Sequence, residues 1–154
     1  MLSKAVVCST LVALATVSAV AQATAQPALS TASIVAAGEL KWVDVPDTPA
    51  KMATVKGDAA KGPHSSFIKL PGGFSAPLHS HTADHHVAVV SGTMTLTPEG
   101  GAAKKLGAGS WFEFTGKKKH TTACDAGADC VLFIVSKGAW DLVPAEAPKT
   151  EAKK

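Results

Sequence analysis

Short apolar segments separated by Gly- and Pro-rich turns run along the middle of this chain. The segments are rich in β-branched and aromatic residues, and they end at turn residues such as Pro71-Gly72-Gly73. No segment has the apolar periodicity of a long helix. Short strands at this spacing are typical of β-sandwiches and barrels, so the sequence predicts an all-β fold. The predicted strands are residues 39–45, 66–70, 87–90, 93–97, 110–114, 121–124 and 131–135.

Aromatic side chains within or beside these segments are the natural candidates for the core. We expect the core to contain Trp42, Phe67, Trp111, Phe133 and Trp140. A ligand pocket inside such a fold would be lined by Phe67, Met94 and Phe133.

The two ends of the chain differ from this middle part. Lys4 is followed by an apolar stretch rich in Ala, Ser and Thr, and small residues precede Gln26 at a cleavage-like site. The sequence therefore predicts a signal peptide over 1–25, a flexible spacer over 26–38, a folded domain over 39–143 and a disordered tail over 144–154. The mature protein is expected to be periplasmic or secreted, with no membrane contact after cleavage.

Composition narrows the classes of partner. The chain has 154 residues, the size of one domain. All of its 15 basic residues are lysines, and the formal net charge is only +3. Because arginine supplies the planar fork that binds phosphates bidentately, nucleic acid is not an expected partner.

Three cysteines are present, and one of them, Cys8, falls in the predicted signal peptide. An oxidising compartment favours a disulfide between Cys124 and Cys130, which would close a turn between two strands. The alternative is a free Cys124 that binds a metal.

Histidines are the residues most suggestive of chemistry. Five of the six fall between residues 79 and 120, whereas His64 is interpreted as a surface-loop residue. Positions two apart on a strand share a face, so His79 and His81 can bind one ion. Neutral imidazole suits Zn, Cu, Fe and Ni. The alternative is a solvated His-rich turn without a physiological metal.

The spacing of these histidines resembles the signatures of the cupin superfamily. Gly73, His79, His81, His85 and Gly92 match the intervals of the first signature, with His85 in place of the usual glutamate. The second signature is matched more loosely by residues 106–111 and by 116–120, which end at His120.

This resemblance implies a single-domain jelly-roll barrel of two antiparallel sheets. It also implies one divalent ion, held by His79, His81, His85 and His120, with open positions for a small-molecule substrate or ligand. A homodimer is possible in such a family. Since the ligand set contains no carboxylate, Fe, Cu, Zn or Ni is favoured over Mn or Mg.

The fourth ligand has two candidates. Counting back from Gly92 by the interval of the signature selects His85, whereas a longer turn before the strand selects His86. Strand alternation does not decide between them, because apolar residues would lie on the same face as either histidine. His86, Asp84 and Cys124 are second-shell or alternative-ligand candidates, and Asp84 can orient an imidazole through its free N–H.

Two functional classes remain open at this point. The first is an exported metal-dependent enzyme, either an oxygenase (dioxygenase) or a lyase or isomerase, that acts on a small organic molecule. The second is a non-catalytic periplasmic protein that binds or senses a metal or small ligand. Both classes use the same motifs.

Overall fold

A computed structural model of the chain describes residues 32–145. The predicted signal peptide, the first part of the spacer and all but two residues of the predicted tail lie outside this range. Within it, one turn of 3-10 helix at Ala37–Glu39 precedes a succession of short strands. The strands are β1 (Val43–Asp44), β2 (Lys51–Gly57), β3 (His64–Leu70), β4 (Ser75–Ser80), β5 (His85–Ser91), β6 (Met94–Pro98), β7 (Lys104–Leu106), β8 (Trp111–Phe114), β9 (His120–Cys124), β10 (Cys130–Ser136) and β11 (Val143–Pro144).

The strands form two antiparallel sheets, which confirms the all-β prediction. One sheet has the order β1-β2-β3-β10-β5-β8, and the other has the order β11-β4-β9-β6-β7. The prediction of a closed barrel was wrong, because hydrogen bonding does not join the two sheets into a single barrel. The edge strands β1, β7, β8 and β11 have only two to four residues each, which leaves little backbone to pair across the gap.

Inward-facing aliphatic side chains from both sheets form the core. Alternate residues of β3, β5 and β10 are buried, as expected for strands with one face inward. Val87, Val89 and Met94 are almost completely inaccessible to solvent. Leu132 and Ile134 of β10 belong to the same cluster.

Most of the aromatic residues predicted for the core lie elsewhere. Phe67 and Phe133 lie on the outer face of the six-stranded sheet, where their rings are 5.0 Å apart. Trp111 is 58% exposed, and Trp42 lies under the ammonium group of Lys69. The prediction was wrong because strand alternation gives the inward positions to the aliphatic neighbours of these rings. Of the five, only Trp140 packs against the core cluster.

Four strands were not predicted, namely β2, β4, β7 and β11. β4 lacks an apolar alternation and contains Pro77, which cannot donate to a ladder. Its pairing with β9 shifts register between Ala76 and His79, so Pro77 sits at an irregularity where its missing N–H is tolerated. The last strand includes Pro144, one residue beyond the predicted end of the domain.

Cys124 and Cys130 are joined by a disulfide, with their Cα atoms 5.8 Å apart. The sequence suggested a hairpin closed by this bond, but β9 and β10 belong to different sheets. The disulfide therefore links the two sheets at one end of the fold. No helix within residues 32–145 is long and apolar enough to cross a membrane.

Candidate metal centre

Four buried histidines meet between the two sheets. His79 and His120 are direct cross-strand partners on β4 and β9, His81 follows the end of β4, and His85 begins β5 in the opposite sheet. One ring nitrogen from each of His79, His81 and His120 lies within 4.8 Å of the others. The His85 ring is 4.7 Å from that of His81 and 6.2 Å from that of His120. The structure thus brings all four predicted ligands together, with three of them in the tightest group.

Backbone carbonyls fix the orientation of these four rings. The Nδ1 atom of His79 lies 2.7 Å from the carbonyl oxygen of Pro77, and that of His120 lies 3.1 Å from the carbonyl of Lys118. His85 makes the same contact, at 3.3 Å, with a carbonyl two residues earlier, and His81 bonds to the carbonyl of Asp141. Because a carbonyl only accepts, each Nδ1 must carry the proton. Each Nε2 therefore keeps a lone pair for a ligand.

Burial keeps these imidazoles neutral. Desolvation lowers the pKa of His81 to about 3 and that of His120 to about 4, and it also lowers the pKa of His79 and His85. The hydrogen bonds to the carbonyls oppose this effect but are the smaller influence. At pH 7 the four rings are therefore in the neutral form, with Nε2 unprotonated, that metal binding requires.

Two aromatic rings pack directly on the cluster. Phe114 stacks on His120 with 4.1 Å between centroids and 9° between planes. Trp140 lies 4.4 Å from His81 and 6.2 Å from His85. Sequence reasoning placed Trp140 in the core but did not assign either ring to the site, because nothing in their spacing connects them to the histidines.

Asp141 is a residue of the site that the sequence did not reveal. Its carbonyl accepts the Nδ1 proton of His81, and its carboxylate accepts hydrogen bonds from both the backbone N–H of Thr82 (2.8 Å) and the hydroxyl of Thr82. One residue from the segment before β11 therefore holds both His81 and its neighbour. Its contact with His81 crosses 60 positions of sequence and has no local pattern.

Asp84 does not take the predicted place behind an imidazole. Its carboxylate accepts the backbone N–H of Gly116 at 2.8 Å and pairs with Lys137 at 3.0 Å, which together hold its pKa below the usual range. The loop after β8 also donates from the N–H of Lys117 to the carbonyl of His81. Gly116 is required there because a Cβ would collide with the carbonyl of Thr82. Asp84 thus joins two loops that flank the cluster.

The structure separates the two candidates for the fourth ligand. His85 is buried with the cluster, whereas the next residue, His86, lies on the opposite face of β5. There His86 contacts the carboxylate of Glu113 at 3.1 Å and stacks on Trp111. Cys124 is also outside the cluster, since its sulfur is in the disulfide and cannot serve as a thiolate ligand.

His64 is buried rather than exposed in a loop. It begins β3, is only 3% exposed, and lies 3.1 Å through Nδ1 from the carbonyls of both Gly62 and Gly138. Its surface-loop interpretation was wrong because the preceding Gly-Pro marks the start of a strand. Its ring stands edge-on to Trp140, 6.5 Å away, and it does not line the cavity that the four clustered histidines share.

The four imidazoles open onto a cavity of about 70 Å³ between the sheets. Met94 lines it as expected, whereas Phe67 and Phe133 face the other way. None of the lining residues carries a carboxylate, an ammonium or a guanidinium group. The lining comprises Val45, Thr48, Ala50, Ile68, Leu70, Phe74, Ala76, His79, His81, His85, Val87, Met94, Phe112, His120, Thr122, Leu132, Ile134, Trp140 and Leu142.

The donor set fits a divalent transition metal. Three or four neutral imidazoles, each already oriented through Nδ1, match the nitrogen coordination that Zn, Cu, Fe and Ni prefer. Hard ions such as Mg favour oxygen ligands, and the nearby carboxylates of Asp84 and Asp141 are bound to the loops instead.

Comparison with known proteins gives one family and a common fold. A family model described as "Domain of unknown function (DUF4437)" matches residues 15–143. No curated protein matches the chain. Similar solved structures include the polyketide cyclase RemF from Streptomyces resistomycificus, which is 17% identical with a TM-score of 0.65 over 77% of this chain and 89% of that one.

Two further structures have the same fold. An RmlC-like cupin from Ralstonia eutropha is 22% identical with a TM-score of 0.57, covering 70% of this chain and 69% of that one. The DMSP lyase DddQ from Ruegeria pomeroyi is 15% identical with a TM-score of 0.58, covering 75% and 64%. The expected resemblance to cupins is confirmed at the level of the fold, and two of these neighbours are enzymes by name, a polyketide cyclase and a DMSP lyase.

Proposed function

Because this chain belongs to the DUF4437 family and has the cupin fold, we propose that it is an exported, metal-dependent enzyme of the oxygenase type that acts on a small organic molecule. The observation that carries the proposal is the convergence of His79, His81 and His120, joined by His85, on an apolar cavity. A structural metal site would be closed by its ligands, whereas these imidazoles border a space large enough for another molecule.

The side chains of this protein would do three things in such a reaction. The Nε2 atoms of His79, His81 and His120, joined by that of His85, would hold the ion, and the carbonyl partners of Nδ1 keep each ring from turning. The apolar wall around them excludes bulk water, which strengthens electrostatic interactions at the ion. Since every ligand is neutral, a bound divalent ion would keep its positive charge. The site would therefore favour binding of a substrate through an anionic oxygen group.

A bound Fe or Cu ion would supply Lewis acidity toward that oxygen group and electrons for dioxygen, whereas Zn would supply Lewis acidity alone. Enzymes among the solved neighbours, such as a polyketide cyclase and a DMSP lyase, support a catalytic use of this fold. Their sequence identity of 17% and 15% is too low to assign their substrates to this chain.

Export is proposed on separate grounds. The first 25 residues have the pattern of a signal peptide, and a disulfide such as Cys124–Cys130 persists most readily in an oxidising compartment. N-terminal sequencing of the protein recovered from the periplasm or medium tests this part directly, with Gln26 as the expected first residue.

The experiment that tests the function begins with metal content. The protein is expressed with its own N-terminal segment, purified without a tag or chelator, and analysed by inductively coupled plasma mass spectrometry. About one equivalent of Fe or Cu is expected, followed by oxygen uptake with small diketones or catechols. His120→Ala should abolish both metal and uptake, while His86→Ala, on the outer face, should preserve both.

Other results identify other functions. One equivalent of Zn without oxygen uptake would contradict the oxygenase and point to a lyase or isomerase, which an assay for elimination products would detect. Tight metal binding without turnover on any of these substrates would favour the periplasmic binding or sensing protein. Absence of bound metal, with none taken up from Fe, Cu, Zn or Ni salts, would overturn the metal site itself.

A further inference from the structure

The cavity beside the imidazoles has an unusual chemical composition for a substrate site. Its lining contains no side chain that is charged at pH 7, and Thr48 and Thr122 are its only hydroxyl groups. Every other lining side chain, apart from the four imidazoles and the Trp140 indole, is hydrocarbon or thioether. This composition restricts which molecules can enter without leaving a polar group unpaired.

Charge gives the first restriction. A negatively charged group can be balanced at the imidazole side, where a divalent ion with only neutral ligands keeps its full charge. A second charge farther along the molecule would lie against residues such as Val87, Leu132 and Ile134, all of which are buried. An unpaired charge in such surroundings is strongly disfavoured, because its desolvation is not repaid.

Hydrogen bonding and volume give the second restriction. Each ligand hydroxyl without a partner in the cavity costs about 1–3 kcal/mol, and two threonines cannot satisfy a polyol. The volume of about 70 Å³ accepts on the order of five water-sized groups. Trp140 and Leu142 bound the space on the side of the segment before β11.

We propose that this site selects a small monoanion whose charged oxygen group reaches the imidazoles and whose remainder is apolar. The inference rests on the proposed metal site and goes beyond it, since it excludes sugar acids, zwitterions and dianions as substrates. Short-chain carboxylates and the enolates of small diketones belong to the selected class.

A matched ligand series tests the selection without reliance on turnover. Co²⁺ is loaded first, and its visible absorption confirms imidazole coordination. Butyrate, 4-aminobutyrate and 3,4-dihydroxybutyrate are then titrated, because they share a carboxylate and a four-carbon chain. We expect butyrate to shift the Co²⁺ bands, with 4-aminobutyrate at least about 100-fold weaker and the diol at least about tenfold weaker.

A substitution at the rim of the cavity tests the cause. Leu142 lines the space and is 38% exposed, so a carboxylate placed there stays hydrated and should not disturb the core. L142E should raise the affinity for 4-aminobutyrate relative to butyrate by about two- to fivefold, as expected for a partly hydrated ion pair, whereas the neutral variant L142Q should leave the ratio unchanged.

The outcomes separate this inference from the proposed function. Failure of the wild-type protein to bind Co²⁺ would overturn both. Co²⁺ binding with equal affinity for butyrate and 4-aminobutyrate, or with no response to butyrate, would overturn the selection while leaving the metal site intact. If L142E leaves the ratio of the two affinities unchanged, the absence of charged lining residues is not the cause of the selection.

Discussion

Removal of the Asp141 carboxylate should weaken metal binding, although this group is not itself a ligand. The carboxylate holds Thr82 through two hydrogen bonds, and the backbone carbonyl of the same residue orients His81. In D141A the Thr82 contacts are lost, and the segment that carries the carbonyl is no longer tied to the histidine loop. The ring of His81 then gains freedom to turn away from the productive orientation.

The size of the effect follows from these contacts. Hydrogen bonds to a charged group contribute about 1.5–3 kcal/mol when buried. Because Thr82 is exposed and Asp141 is half-buried, the pair contributes about 1 kcal/mol of stability. Loss of a group that orients a metal ligand typically weakens metal affinity by about 10–100-fold. D141N keeps one acceptor oxygen and should fall between the wild type and D141A.

Competition titration of Zn²⁺ against a chromophoric chelator measures this affinity at a temperature where every variant is folded. D44A is the matched control, because Asp44 is an exposed carboxylate that pairs with Lys51 on the neighbouring strand. If D141A loses stability but binds Zn²⁺ within about twofold of the wild type, Asp141 only stabilises the fold and the positioning argument is wrong.

Further predictions concern the site and its support. H85A should weaken metal affinity by at least about tenfold whereas H86A should leave it within about twofold, and equal losses in a chelator competition would contradict the assignment by strand alternation. Reduction of Cys124–Cys130, or its replacement by serines, should cost about 2 kcal/mol in urea unfolding; no change in midpoint would refute a stabilising link. The metal-free protein should lose stability as pH falls below about 6.5, because the four imidazoles have lowered pKa values and the unfolded chain binds more protons; a flat midpoint between pH 7 and 4.5 would contradict their burial. G116A should lower the melting temperature through the clash with the Thr82 carbonyl, whereas G100A, at a position with open space but a positive φ, measures the cost of backbone strain alone.

Local patterns were sufficient for much of the fold, and a family resemblance supplied most of the candidate ligands. Alternating apolar residues marked β3, β5, β6, β8, β9 and β10. The resemblance of the histidine spacing to the cupin signatures suggested His79, His81 and His120 as one group, with either His85 or His86 as the fourth member. These features depend on neighbours in sequence, where the period of two and the intervals of a motif are readable.

What could not be predicted depends on contacts between distant segments. His85 and His86 are adjacent, and each shares its face of β5 with apolar residues. Only the packing of the sheet therefore decides which of the two histidines is buried. Asp141 meets Thr82 across 59 positions of sequence. Phe67 and Phe133 are as apolar as Ile68 and Ile134, the neighbours that face inward. Such outcomes are set by tertiary packing, which sequence patterns describe poorly.

The position of the disulfide has a consequence for how this protein can change over evolution. On β9 and β10, Cys124 and Cys130 lie at one end, while His120 and the residue paired with His85 lie at the other. The disulfide at the Cys124–Cys130 end holds the two sheets together independently of the loops at the histidine end. Insertions in the segments 58–63, 115–119 and 137–142 should therefore cost less global stability than in a fold held together only by packing, provided that the hydrogen bonds of Gly116 to Asp84 and of Asp141 to Thr82 are kept. Relatives that keep the disulfide should then vary in sequence and length more in these loops than at the linked end.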